Sequence, residues 1–195
     1  RSRGLGDVYK RQALGAGCSF VARALDSDRK GLDETLTTAA HHRGTSFVEI
    51  YQNCPIFNDG AFDDYKGPEA AERIVRLVDG EPILLGADRS KGVVRDPVNG
   101  SLTVTEVAQV GMDHVVVHDA TRPDPSLAFE LAHLHDSGQI SQIPLGILRS
   151  VSLPTYDDMV RDQLRLAGGS ADDKPARDAA LQQLLRGNDT WQVHN

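Results

Sequence analysis

The chain predicts an α/β fold, a parallel sheet with flanking helices, followed on its carboxyl side by a small α+β appendage. Three observations carry this reading. A strand, a helix and a second strand follow one another between Ser19 and Tyr51, roughly 35 residues and the size of a right-handed parallel crossover. Two β-branched runs flank Asn99-Gly100 and read as a hairpin. Helical patterns then follow one another late in the chain, without the strand alternation of a longer parallel sheet.

Taken in order, Ala13 to Gly17 reads as a helix tail or tight turn, and Ser19 to Arg23 as a short apolar strand. Asp26-Ser27-Asp28 offers a cap to a helix in which Leu32, Leu36, Ala39 and Ala40 recur at helical spacing, with Gly44 as its stop. Thr45 to Tyr51 is β-branched and aromatic, a second strand. Beyond Asp59-Gly60 the spacing predicts a helix over Glu69 to Val78, with Pro68 where a first turn tolerates it. The hairpin around Asn99-Gly100 calls for a tight primed turn. His114 to His118 predicts a third apolar strand, and Ser126 to His135 an amphipathic helix. Thr155 to Leu166 is helical, GGSADDKPA a polar linker, and Arg177 to Arg186 a last helix ending at Gly187.

Composition narrows the function classes. Of 195 residues, 39% are hydrophobic and 25% charged, as in ordinary globular proteins. No apolar run approaches the ~20 residues of a membrane span. The net charge of −7 argues against a nucleic-acid surface, because basic residues are scattered among carboxylates. Two cysteines, Cys18 and Cys54, are too few for a secreted disulfide framework, so the cytoplasm is the expected compartment. The opening RSRGLGDVYKRQ has no clear period, and residues 1–12 are expected to be foreign translated sequence.

Most candidate chemistry reduces to ordinary structure. Gly15-Ala16-Gly17 lacks the third glycine of a dinucleotide fingerprint. On a strand, His114 and His118 would stand roughly 13 Å apart, too far to share an ion. His133 and His135 point to different helix faces, and His41-His42 fall at a helix end where a cation meets carbonyl dipoles. Glu34, Asp59, Asp63 and Asp64 find no base or nucleophile to pair with. Cys54 stands apart, because it follows a strand at the edge where open α/β sheets bind cofactors, and Pro55 fixes the corner behind it. Two readings stay open: a buried free cysteine, or one ligand of a metal site completed from elsewhere.

Several words of the sequence carry a resemblance: ALGAGCSFVARALDSDRKGL, FVEIYQNCPIFNDGAFD, GVVRDP, VHDA, PLGILRSV and GNDTW. From Ala13 onward the chain resembles the carboxyl-terminal part of the beta subunit of 2-oxoacid:ferredoxin oxidoreductases, especially the 2-oxoglutarate type. The resemblance implies residues 13–65 as the end of a thiamine diphosphate-binding domain and 66–195 as the beta-subunit carboxyl-terminal domain, truncated at the amino terminus. It further implies thiamine diphosphate, Mg²⁺ and a 4Fe4S cluster, with Cys54 as the fourth cluster thiolate and Cys18 structural. Catalytic residues and most cofactor ligands are expected outside this chain. Gln52, Asn53, Ile56, Phe57 and Asn58 become candidates for the surroundings of that thiolate. The implied partners are an alpha subunit, ferredoxin, coenzyme A and the 2-oxoacid, with neither nucleic acid nor membrane. Two rivals are a non-oxidative thiamine enzyme without a cluster, and a non-catalytic subunit-docking module in residues 66–195.

Overall fold

The computed structural model describes residues 6–136, 140–168, 173–188, 191 and 193. Residues 1–5 of the opening segment and 169–172 of the polar linker lie outside the described residues. The chain divides into two compact units, Arg1–Leu153 and Pro154–Asn195.

In the first unit, α1 (Gly6–Gly15) precedes β1 (Phe20–Leu25), α2 (Arg29–His41) and β2 (Ser46–Tyr51). The crossover expected from the sequence is present: β1 and β2 pair in parallel from Phe20↔Ser46 to Leu25↔Tyr51. Asp28 caps α2 through the Gly31 amide, 3.2 Å away. All six residues of β1 are buried, as a central strand requires. Val21 joins the cluster formed with Leu14 of α1 and Leu127 and Leu131 of α5 (Ser126–Asp136). Ala24, three positions on and so on the opposite face, lines the same concavity as Thr35 of α2. Helices therefore flank both faces of the sheet.

The sheet has the order β2-β1-β7-β3, where β3 is Ile74–Leu77 and β7 is Ile143–Ser150. It is mixed: β1 and β2 run parallel, β3 and β7 run parallel, and the two pairs meet antiparallel between β1 and β7. The helix expected over Glu69 to Val78 is corrected to a single turn, α3 (Ala70–Arg73), running straight into β3. Val75 and Leu77 are buried while Arg76 between them is exposed, a period of two that outweighs the helical spacing. β7 carries no strand signature in the sequence because Pro144 and Gly146 read as breakers. Pro144 is tolerated because β1 pairs only with the later part of β7, from Gly146 to Ser150.

A second sheet, β4 (Leu84–Leu85), β5 (Lys91–Arg95) and β6 (Leu102–Glu106), is antiparallel throughout. The one-turn helix α4 (Val107–Val110) follows it. The hairpin is where the sequence puts it, but the tight primed turn is not. Asp96 accepts the amides of Val98 at 2.7 Å and Asn99 at 3.3 Å, and Asp96 N–H donates to Ser101 O at 2.8 Å, closing a longer loop. Asn99 keeps a negative φ and only Gly100 turns positive, whereas a type I′ turn needs both positive and a type II′ turn needs the first. The third strand expected over His114 to His118 is also corrected. Met112–His114 forms a 3-10 turn, and Val115 and Val117 make isolated bridges to Val94 and Pro82. Ile83, Leu85, Val93 and Leu102 bury their side chains in the same cluster as Val21, so both sheets share one core.

Polar groups tie this core together. Arg149, 6% exposed, donates to Cys18 O at 3.1 Å, Arg122 O at 3.0 Å and Pro123 O at 2.9 Å, which pins a loop against the start of β1. His118 is buried and its Nε2 bonds Ile147 O at 2.7 Å. His42 also departs from expectation. It caps α2 beside the Phe20 ring and the Ser19 hydroxyl, and burial pushes its imidazole below its ordinary value, so it favours the neutral form over a dipole-bound cation.

The second unit holds α6 (Tyr156–Gly168) and α7 (Lys174–Arg186). Asp173 caps α7 through the Ala176 amide at 3.1 Å, with Pro175 in the first turn and Gly187 at its end. Leu164, Leu166, Leu181, Leu184 and Leu185 are all exposed.

Gly146 is the tightest point of the main sheet. Its φ is +120°, and a Cβ there would stand 2.7 Å from the carbonyl oxygen of Leu77 on the neighbouring strand. Gly146→Ala is expected to destabilise the chain by about 2 kcal/mol or more, because backbone must move. Urea unfolding checks this, and an unchanged midpoint would contradict the strand register described.

Candidate functional site

The parallel pairing of β1 and β2 brings two loop beginnings together at one sheet end. Asp26 N–H donates to Tyr51 O at 2.9 Å, extending the ladder by one rung. The Asp26 carboxylate then accepts the Asn53 amide at 3.0 Å. Asn53 staples the segment beyond it: its side-chain amide donates to Asp59 at 2.9 Å, and its carbonyl oxygen accepts Gly60 N–H at 2.9 Å. Asn58 N–H closes the inner turn on Cys54 O at 2.9 Å. The segment 53–60 is thus a closed loop, with Cys54 on its inbound arm.

Beneath the loop lies an aromatic stack. Tyr51 and Phe62 overlap at 4.8 Å between centroids and 17° between planes, and Tyr65 tilts against Phe62 at 6.4 Å. Leu25, Ile143, Leu145 and Ile74 complete this small core. The Arg23 guanidinium lies 4.8 Å above the Tyr51 ring and bonds Glu49 through Nε at 2.6 Å. Lys10 of α1 approaches the same carboxylate at 3.7 Å, and all three side chains are buried.

Cys54 is a free, half-buried thiol. Around it Ile56 is 84% and Phe57 89% exposed, while Gln52 and Asn58 are also exposed. Of the residues singled out with it, Asn53 bonds through its side chain and Asn58 through its backbone. Cys18 lies at the other end of the sheet, before β1, with its thiol 3.2 Å from the carbonyls of Phe20 and Thr45. Six-residue strands separate the two thiols, about 20 Å at strand rise. A four-iron cluster takes four thiolates, so this donor set fits one corner of such a cluster and no more. Among the described residues no group of three or more His, Cys, Asp and Glu side chains could hold a metal ion. No helix among them is long and apolar enough to cross a membrane.

A concavity of about 600 Å³ opens where α2 leaves β3 and β7 uncovered. Thr35 and Glu34 of α2, Arg76, Leu145, Thr121 and Ser150 are among its lining residues. None of them stands out in the sequence except Glu34, since the site joins segments more than 100 residues apart. At its mouth Arg76 bonds Asp28 at 2.6 Å. Burial pushes the Asp28 carboxyl up, but the Arg76 hydrogen bond, the Gly31 amide and the charges of Arg76 and Lys30 together hold it below its ordinary value.

This geometry sets two measurable outcomes. Asn53→Ala removes the staple, and loss of hydrogen bonding worth about 1 kcal/mol is expected to raise Cys54 alkylation about fivefold with Cys18 unchanged, as read by mass spectrometry. Because Asp28 is depressed, its contribution is present above the ordinary value of 3.8 and is lost as the pH falls through the lower folded-state value. Asp28→Asn keeps a cap but loses the charge pair, so it should lower neutral-pH stability by less than about 1 kcal/mol. The gap to wild type should close in acid, as followed by urea unfolding across pH.

No protein-family model matches the chain. Among curated proteins it is 49% identical over 181 residues to the 2-oxoglutarate oxidoreductase subunit KorB of Mycobacterium tuberculosis, covering 93% of this chain and 47% of that one. The 2-oxoacid:ferredoxin oxidoreductase 2 beta subunit of Aeropyrum pernix is 40% identical over 47 residues, 24% of this chain and 15% of that subunit. A beta subunit from Sulfolobus matches over the same length at 38%. Among solved structures, a 2-oxoglutarate:ferredoxin oxidoreductase from Magnetococcus marinus, with 2-oxoglutarate, coenzyme A and succinyl-CoA bound, shares the fold. Its TM-score is 0.52 at 21% identity, over 88% of this chain and 43% of that one. The chain spans about half the length, or less, of the relatives it matches. Over nearly all of its own length the chain is a relative of a 2-oxoglutarate oxidoreductase subunit, and the proteins it resembles are the beta subunits of 2-oxoacid:ferredoxin oxidoreductases.

Proposed function

We propose that this chain forms part of the beta subunit of a cytoplasmic 2-oxoacid:ferredoxin oxidoreductase acting on 2-oxoglutarate. The reaction takes 2-oxoglutarate, coenzyme A and two oxidised ferredoxins to succinyl-CoA, carbon dioxide, two singly reduced ferredoxins and the proton released from the coenzyme A thiol. An alpha subunit, ferredoxin, coenzyme A and the 2-oxoacid are the partners. The observation that supports this best is a half-buried thiol on a hydrogen-bonded loop at the carboxyl end of β1 and β2, in a chain 49% identical to a 2-oxoglutarate oxidoreductase subunit.

When bound, thiamine diphosphate with Mg²⁺ supplies the electron sink for decarboxylation, and a 4Fe4S cluster supplies one-electron transfer. This chain's share is positional. Cys54 offers one thiolate, Asp26 and Asn53 fix the backbone that carries it, and the Tyr51–Phe62 stack holds together the two chain segments that flank the loop. Asn53, Ile56, Phe57 and Asn58 form the surroundings of that thiolate. No residue of this chain is assigned a bond-breaking step. The exposed leucines of α6 and α7 favour a second role for the carboxyl-terminal unit as a docking element toward another subunit.

Cys54→Ser in the assembled complex tests the assignment. The expected result is loss of the cluster's visible absorbance and most of the bound iron and sulfide. Unchanged iron and sulfide would remove Cys54 from the ligand set, and absence of iron from the wild-type complex would favour a non-oxidative thiamine enzyme.

A further inference from the structure

The loop that closes the β5–β6 hairpin holds a reactive pair. Asn99-Gly100 is the sole Asn-Gly step in the sequence. An asparagine carboxamide lies within ring-closing reach of the next residue's backbone nitrogen, and such an intramolecular attack needs no encounter. Glycine brings no Cβ to shield that nitrogen. Apart from chain neighbours, no atom lies within 4 Å of where a Gly100 Cβ would stand, and Asn99 is exposed to water.

The placement of Ser101 bears on this chemistry. Its backbone N–H donates to Asn99 Oδ1 at 2.9 Å, and its hydroxyl donates to the same oxygen at 2.7 Å. A backbone N–H only donates, so the atom facing it is the carboxamide oxygen, and the carboxamide nitrogen is left outside the contact. Two donors on one carbonyl oxygen at such distances are the arrangement that stabilises the oxyanion of an acyl transfer. Against this, Gly100 N–H donates to Asp96 O at 2.8 Å, which ties the nucleophile. That bond closes an exposed loop and adds little net stability. Ser101 adjoins Gly100 in the chain, so its two donors stay beside Asn99 when the loop opens locally.

We propose that Asn99-Gly100 is a self-modifying site at which Ser101 cradles the oxyanion. On loop opening the Gly100 amide gives its proton to hydroxide, and its nitrogen bonds to Asn99 Cγ. The negative charge passes to Oδ1, where the Ser101 N–H and hydroxyl hold it. The bond from Cγ to the side-chain nitrogen then breaks, the nitrogen takes a proton from water, and ammonia leaves a succinimide behind. Water opens that ring at either carbonyl, giving aspartate or isoaspartate, so the balance is one water in and one ammonia out with no change of oxidation state. Isoaspartate moves the side-chain methylene into the main chain. The loop path then no longer matches the Asp96 N–H bond to Ser101 O, 2.8 Å in the unmodified chain. The inference is independent of the reaction proposed above.

The test incubates the whole chain at neutral pH, folded or in urea, and follows the peptide holding residue 99 by mass spectrometry for the gain that marks amide-to-acid conversion. Asn58, followed by aspartate, is the internal control and should convert far more slowly. The folded wild type should convert at Asn99. Ser101→Ala should convert about fivefold more slowly when folded, the fold-change of one hydrogen bond, and Ser101→Thr, which keeps the hydroxyl, should match wild type. In urea all three should convert alike, because β5 and β6 no longer hold the turn; this arm separates a cradle from a plain sequence effect, and an unchanged urea midpoint shows that each variant folds. An Asn99 that converts in urea but stays intact in the folded wild type overturns the site without any variant. Equal rates for folded Ser101→Ala and wild type, or the same slowing in urea, overturn the cradle.

Discussion

The registry between β1 and β2 is the constraint on which the rest depends. It is locked by the Arg23–Glu49 ion pair, which sits directly across the two strands with both side chains buried. A buried pair is weak evidence for net stability, because desolvation costs as much as attraction returns. It is strong evidence for specificity, since a slip of one residue would bury each charge without its partner. With that register set, Leu25 ends opposite Tyr51, and Asp26 falls within reach of the Asn53 amide. The placement of the Cys54 loop is thus an electrostatic decision made at Glu49, five residues upstream.

The same registry organises the interior. Arg23 lies over Tyr51, Tyr51 stacks on Phe62, and Phe62 leans on Tyr65, so the charged pair continues without a gap into the aromatic base of the loop. Arg149 performs the corresponding service at the other end of β1, where three carbonyls converge on one guanidinium. Guanidinium groups anchor both ends because each presents several donors in a rigid plane and remains charged when buried.

The sheet end supplies a braced thiol, and among the described residues no group of three or more His, Cys, Asp and Glu side chains could hold a metal ion. The cavity beside α2 is polar at its mouth, where Asp28 meets Arg76, and apolar at Leu145 and Leu77.

The sequence by itself determined the local elements whose signals are covalent or short-range: the β1–α2–β2 crossover with its Asp28 cap, the hairpin pairing and the three long later helices. It also carried the resemblance to oxidoreductase beta subunits, because whole words survive at recognisable spacing. Only the tertiary structure decided that Ile74 to Leu77 is a strand, since four residues can satisfy either period until a partner such as β7 is present. Only it placed β7 at the centre of the sheet, where Gly146 admits the Leu77 carbonyl, although Pro144 and Gly146 look like breakers in one dimension. The Asn99 turn departs from its sequence signal because a side chain, Asp96, captures the amides that a primed turn would have used. The brace on Cys54 is likewise invisible in one dimension, because Asp26 and Asn53 are 27 residues apart and are joined only by parallel strand pairing. Patterns that repeat along the chain can be read from it; contacts that depend on which distant backbone lies alongside exist only once the sheet has formed.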